Sequence, residues 1–228
     1  MTDDWRPLPK HTKLNYDECH AKLILEKYFP QQYSDLRLSD CPDLRDESRN
    51  VGIEVRLADD PKDKEAWSLG SDIYYYQLDE ETKSKKLKRL DQLGYQYKDG
   101  CMKGPGHQYP SRGPDPLPIE KTPCLYFINA VSEKLKKLNS GNYAVLSRYD
   151  LFVESQVRIE DWMLPKLLDK LISLSVYKIN YTFIYLSALN GLFVFDLATK
   201  EYKYFEREEG LWGLGELARE MVEEGERK

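Results

Sequence analysis

The stretch Gly52-Ile53-Glu54-Val55-Arg56-Leu57 alternates apolar and charged residues, and this period of two restricts it to an extended strand. Ile53, Val55 and Leu57 then share one face, and Glu54 and Arg56 share the other. The apolar face must press on another element, while two charged groups project together on the opposite side. Eleven positions before Glu54 stands Asp43, preceded by Pro42. The run Asp46-Glu47-Ser48-Arg49-Asn50 between them reads as a hairpin turn. If the segment before that turn pairs with the strand, Asp43 comes alongside Glu54. Two carboxylates with a strand carbonyl and waters suit a hard cation such as Mg²⁺ or Mn²⁺. Such an ion lowers the pKa of bound water and stabilises an attacked phosphate.

The rest of the chain supplies the elements around this pair. Residues 15–28 read as a helix ended by Pro30, with Leu14, Ala21, Leu25 and Tyr28 on one stripe. Glu18 falls on or beside that core-facing stripe, an odd place for a carboxylate without a partner. His20 follows it and is best read as a satisfied or surface histidine. Residues 61–93 read as two charged helical pieces broken near Gly70 or Leu78 and closed by Gly94. Residues 95–118 read as a long loop rich in glycine, proline and tyrosine. A helix follows, with Leu125, Ile128, Val131, Leu135 and Leu138 on one face. A strand around 149–153 comes next, then a helix interrupted at Pro165. Asn190-Gly191 lies between apolar runs and marks a hairpin. The end, Glu223 to Lys228, reads as a frayed tail. The order defines an α/β fold: a mixed central β-sheet flanked by helices, with an added C-terminal helix and β-hairpin. One domain covers 1–228, with its core at about 15–155, the added elements at 156–206 and the tail at 207–228.

Residues 40–57 resemble the motif of the PD-(D/E)XK, or restriction-endonuclease-like, nuclease superfamily. There a Pro-Asp is followed by an acid, one apolar residue and a lysine. The resemblance covers roughly residues 15–155 and implies an αβββαβ core. It also implies a Mg²⁺- or Mn²⁺-dependent hydrolase of DNA phosphodiester bonds, active in many members as a homodimer. Carried over by position, Asp43 and Glu54 are the metal carboxylates, and Glu18 matches the helix-borne acid of many members. The lysine position holds Arg56, which stays protonated but can hold phosphate through its planar fork. A lysine migrated from elsewhere, such as Lys62 or Lys64, is the alternative source of an ammonium.

DNA-backbone contacts would come from the basic run Lys85, Lys86, Lys88 and Arg89, and from Lys103 and Arg112 in the loop. The structural alternative for the run is a solvated helix face paired with Glu80 and Glu81. The 228-residue chain carries a net charge of −5, which argues against a whole-surface nucleic-acid binder and leaves room for a local basic groove. No apolar run approaches the roughly 18 residues that span a bilayer, so no membrane partner is expected. Cys19, Cys41, Cys101 and Cys124 are scattered without metal spacing and read as reduced thiols of a cytoplasmic protein. The rival reading is a catalytically silent member of the same fold, serving as a nucleic-acid-binding or protein-interaction module.

Overall fold

Asn15 opens the first helix, α1 (Tyr16–Tyr28), by accepting from the Asp17 amide at 2.9 Å. That cap satisfies one of the four amides a helix start leaves unpaired. The computed structural model describes residues 8, 12–98, 101–104, 119, 122–141, 143–206 and 210–227. After α1 come three strands, β1 (Arg37–Leu38), β2 (Leu44–Asp46) and β3 (Val51–Leu57). β2 and β3 pair antiparallel with Leu44 opposite Ile53 and Asp46 opposite Val51, as the hairpin reading expects. Asp46 closes the turn between them. Its carboxylate accepts from Ser48 Oγ at 2.6 Å, the Arg49 amide at 3.0 Å and the Arg49 guanidinium at 3.0 Å. Burial opposes ionisation of Asp46, yet these donors outweigh it and hold its carboxyl below the usual range.

Contacts divide the chain into two compact units, residues 1–9 with 59–117 and residues 10–58 with 118–228. The first holds α2 (Pro61–Tyr75), α3 (Glu80–Leu93), β4 (Gln96–Lys98) and β5 (Cys101–Lys103). Asp60 and Asp79 cap the two helices, so the break between them falls at 76–79 rather than at Gly70, which is buried within α2. Gly94 ends α3 with φ of 87°, a left-handed conformation that a side chain would strain. Part of the expected 95–118 loop is a hairpin instead, with Gln96 opposite Lys103.

The second unit contains α1 to β3 and continues with α4 (Cys124–Leu138), β6 (Arg148–Glu154) and α5 (Met163–Leu174). It then runs through β7 (Phe183–Ala188), β8 (Gly191–Asp196) and β9 (Glu201–Glu206) to α6 (Gly210–Arg227). Seven strands form one sheet in the order β1-β2-β3-β6-β7-β8-β9. β6 runs parallel to β3 and β7, and the remaining pairs are antiparallel, so the fold is α/β with a mixed sheet. Pro165 does not interrupt α5. It sits in the first turn, where a missing amide costs nothing. The expected frayed tail is also corrected, because Glu223 to Arg227 belong to α6, whose Leu214, Ala218 and Val222 are buried.

The two faces of the sheet bury different sets. Val51, Ile53, Val55, Phe152 and Tyr185 pack with Ala21, Ile24 and Leu25 of α1. On the other face, α4 contributes Phe127, whose ring meets Phe195 of β8 at 6.2 Å. Gly52 marks the start of that second face. A Cβ there would stand 2.5 Å from both Leu146 Cδ1 and Pro42 Cγ, so only glycine lets these two side chains close over β3. No helix of the described residues is long and apolar enough to cross a membrane.

Candidate metal centre

The hairpin register carries Asp43 alongside Glu54, one position beyond the Leu44–Ile53 pair. Asp43 Oδ2 accepts from the Val55 amide at 2.7 Å, which fixes the carboxylate across the strand. Glu54 lies mid-strand with its side chain 1% exposed. A carboxylate so deeply buried needs a positive partner. Lys134 supplies it from α4: its Nζ donates to Glu54 Oε2 and stands 3.3 Å from Asp43 Oδ2. The ammonium side chain is 11% exposed, and the Tyr181 hydroxyl donates to the Lys134 carbonyl at 3.3 Å.

Glu54 Oε1 is a buried oxygen that makes no well-formed hydrogen bond, with the Tyr143 hydroxyl close enough to interact with its carboxylate. The Tyr143 hydroxyl is likewise buried and makes no well-formed hydrogen bond. Burial first, and the Glu54 charge second, raise the pKa of this phenol, so it faces the cluster as a neutral donor. Its ring is held edge-on to Tyr149 at 6.3 Å, with Lys137 Nζ 5.7 Å from the ring centroid.

Glu18 joins the group through its field. Its carboxyl is pushed up to about 7, chiefly by burial and then by the charges of Asp43 and Asp17, with Lys134 opposing and Glu54 adding. Asp43 and Glu54 share Lys134, and the charges of both raise the Glu18 carboxyl. Arg56 does not join them. It shares the face of Glu54 but turns to Glu133 of α4 at 3.2 Å, with both side chains well exposed. Two consecutive helix residues, Glu133 and Lys134, therefore answer the two charges of the strand, each with the opposite sign.

Lys134 is the residue the sequence reading missed. Lys62 and Lys64, the alternatives considered, lie in the first turn of α2. Its signal was present: Lys134 falls three residues after Val131 and four before Leu138, within the apolar stripe of its helix. The same argument had singled out Glu18.

The proposed DNA-contact residues that are described belong to α3 and β5. Lys85 pairs with Glu81 at 2.6 Å one turn away on α3, whereas Lys86 and Arg89 bridge to α2 through Asp72 at 2.8 Å and Glu65 at 2.7 Å. Lys88 and Lys103 are exposed, and Arg112 lies outside the described residues. His20 is a satisfied histidine, with Nδ1 3.1 Å from Glu154 Oε2 and its ring stacked on Tyr16 at 5.7 Å. His11 and His107 lie outside the described residues. All four cysteines are free.

Among the described residues, no three carboxylate, imidazole or thiol side chains form a ready metal cage. The donor set nevertheless fits a hard cation: two adjacent carboxylates, one buried oxygen with no well-formed hydrogen bond, and an ammonium already drawn to the same point. The chain matches no protein family, no curated sequence and no solved structure.

Proposed function

We propose that the chain is a divalent-metal-dependent nuclease of the restriction-endonuclease-like type, hydrolysing phosphodiester bonds of DNA. Asp43 and Glu54 are its metal carboxylates, and Lys134 stands in place of the motif lysine. The observation that carries the reading is the Lys134 ammonium held between Asp43 and Glu54. The order α1, β1, β2, β3, α4, β6 further supports it, because it follows the αβββαβ core that the motif implies once α2, α3, β4 and β5, which lie between β3 and α4, are set aside as an insertion.

A bound Mg²⁺ or Mn²⁺ would polarise the phosphate and generate hydroxide from water near neutral pH. The protein residues supply the rest. Asp43 is oriented by the Val55 amide and Glu54 by the strand, so both carboxylates are fixed before any ligand arrives. Lys134 offers a compact, mobile point charge that can orient water or a phosphate oxygen, a role for which the outward-turned Arg56 is unsuited. Glu18, with its pKa near 7, can accept or release a proton beside them.

A catalytically silent module of this fold is the second reading. Its support is that Lys134 and Glu133 already neutralise Glu54 and Arg56, as a purely structural pairing would. Cleavage of plasmid and single-stranded DNA in Mg²⁺ or Mn²⁺ separates the two. The nuclease reading expects cutting by the wild type, none by Glu54→Ala or Lys134→Met, and retained cutting by Arg56→Ala. A wild type that leaves both DNAs intact in either ion supports the silent module.

A further inference from the structure

We propose that Lys134 is an internal cation occupying the metal position, so that a divalent ion enters the site only by displacing its ammonium. The inference rests on the metal-centre reading above and adds to it a competition built into the fold. Lys134 Nζ bonds Glu54 Oε2 and lies 3.3 Å from Asp43 Oδ2, so one cation already sits between the two carboxylates. A divalent ion on those oxygens would face the ammonium at contact distance, and two positive charges repel strongly where water is largely excluded. Both cannot stay.

The geometry also shows why the exchange is feasible. Glu54 Oε1 is buried and makes no well-formed hydrogen bond, with the neutral Tyr143 hydroxyl beside its carboxylate, so the carboxylate has an oxygen that the lysine does not satisfy. Asp43 is the more open member of the pair, at 21% exposed against 1% for Glu54, and its contact with Lys134 is long for a charged hydrogen bond. The ammonium sits on a flexible four-carbon stem, so it can withdraw while the backbone of α4 stays in place. Displaced, it remains beside the centre, where the proposed chemistry needs it. Lys134 therefore has opposite effects on two measurable quantities: it weakens metal binding and supports cleavage.

The test uses the full chain with Mn²⁺ as the probe, comparing wild type with Lys134→Met by calorimetry and by thermal melting in EDTA and in Mn²⁺. Lys134→Gln serves as a second variant should the methionine form fail to fold. The expected result is Mn²⁺ affinity raised about tenfold or more, because each factor of ten requires only about 1.4 kcal/mol. In EDTA the variant should melt below the wild type, having lost the charge that neutralises two carboxylates. Mn²⁺ should then raise its melting point by more than it raises that of the wild type. Binding by the variants alone, with none by the wild type, supports the competition in its strongest form. Equal or weaker Mn²⁺ affinity in both variants overturns it, as does the absence of binding in both. Adding Glu54→Ala to Lys134→Met identifies which idea has failed. Affinity that survives the loss of Glu54 places the ion elsewhere and removes the metal-centre reading itself.

Discussion

At Glu18 the fold holds a carboxyl where its charge is unwelcome, between the field of Asp43 and a buried surround. A carboxyl whose pKa is higher in the folded than in the unfolded chain favours folding while it is protonated. For Glu18 that contribution is complete below its ordinary 4.5 and is lost as the pH rises through about 7. Glu18→Gln is neutral at every pH and escapes the loss. Thermal denaturation should show the glutamine variant melting above the wild type near pH 8 and the difference shrinking towards pH 5. A difference that does not vary with pH would show that Glu18 is not desolvated as described. Ions bound nearby would draw the proton off, so calorimetry below pH 7 should register proton release with Mn²⁺ binding, seen as a dependence of the heat on the buffer.

Elements set these residues in place, and two substitutions test how tightly. Gly52→Ala puts a methyl 2.5 Å from Leu146 and Pro42, which should cost about 1–3 kcal/mol by urea denaturation. Because Pro42 must yield, Mn²⁺ affinity should fall as well. Ala218 is fully buried on α6, the helix that packs on α1. Ala218→Asp should destabilise by at least ~3 kcal/mol, since it buries a charge without a partner. Unchanged stability would mean that α6 does not dock on α1. The two elements were unequally readable in the sequence. β3 declared itself through strict alternation, and the hairpin turn then fixed Asp43 beside Glu54. α6 was hidden because Gly210, Gly213 and Gly215 interrupt its first turns and weaken any helical reading. Lys134 was masked for another reason: its helix also carries Lys136 and Lys137, and the position of Lys134 within the apolar stripe was the cue that set it apart.

Across the whole sheet, a second polar cluster lies on the α1 side, away from Glu54. Asp150 is fully buried and accepts from the Tyr33 hydroxyl at 2.8 Å and the Phe183 amide at 3.0 Å. Arg148 Nε lies 2.9 Å from its carboxylate, and Tyr33 also meets the Tyr185 hydroxyl at 2.7 Å. Burial raises the Asp150 carboxyl to about 6 despite these partners. The cluster ties the segment after α1 to β6 and β7, three parts distant in sequence. Tyr33→Phe removes a donor from a buried acid and should cost about 1–3 kcal/mol in chemical denaturation. None of this was readable beforehand, because nothing in the local pattern of Tyr33 or Asp150 announces a partner more than a hundred residues away. The same separation has a consequence for the metal centre when the chain is made. Glu54 and Lys134 are 80 residues apart, so at roughly 5–20 residues per second the carboxylate leaves the ribosome about 4–16 s before its ammonium. For that interval the two acids have no lysine to compete for them, and the growing chain meets the ions of its surroundings before it meets the rest of itself.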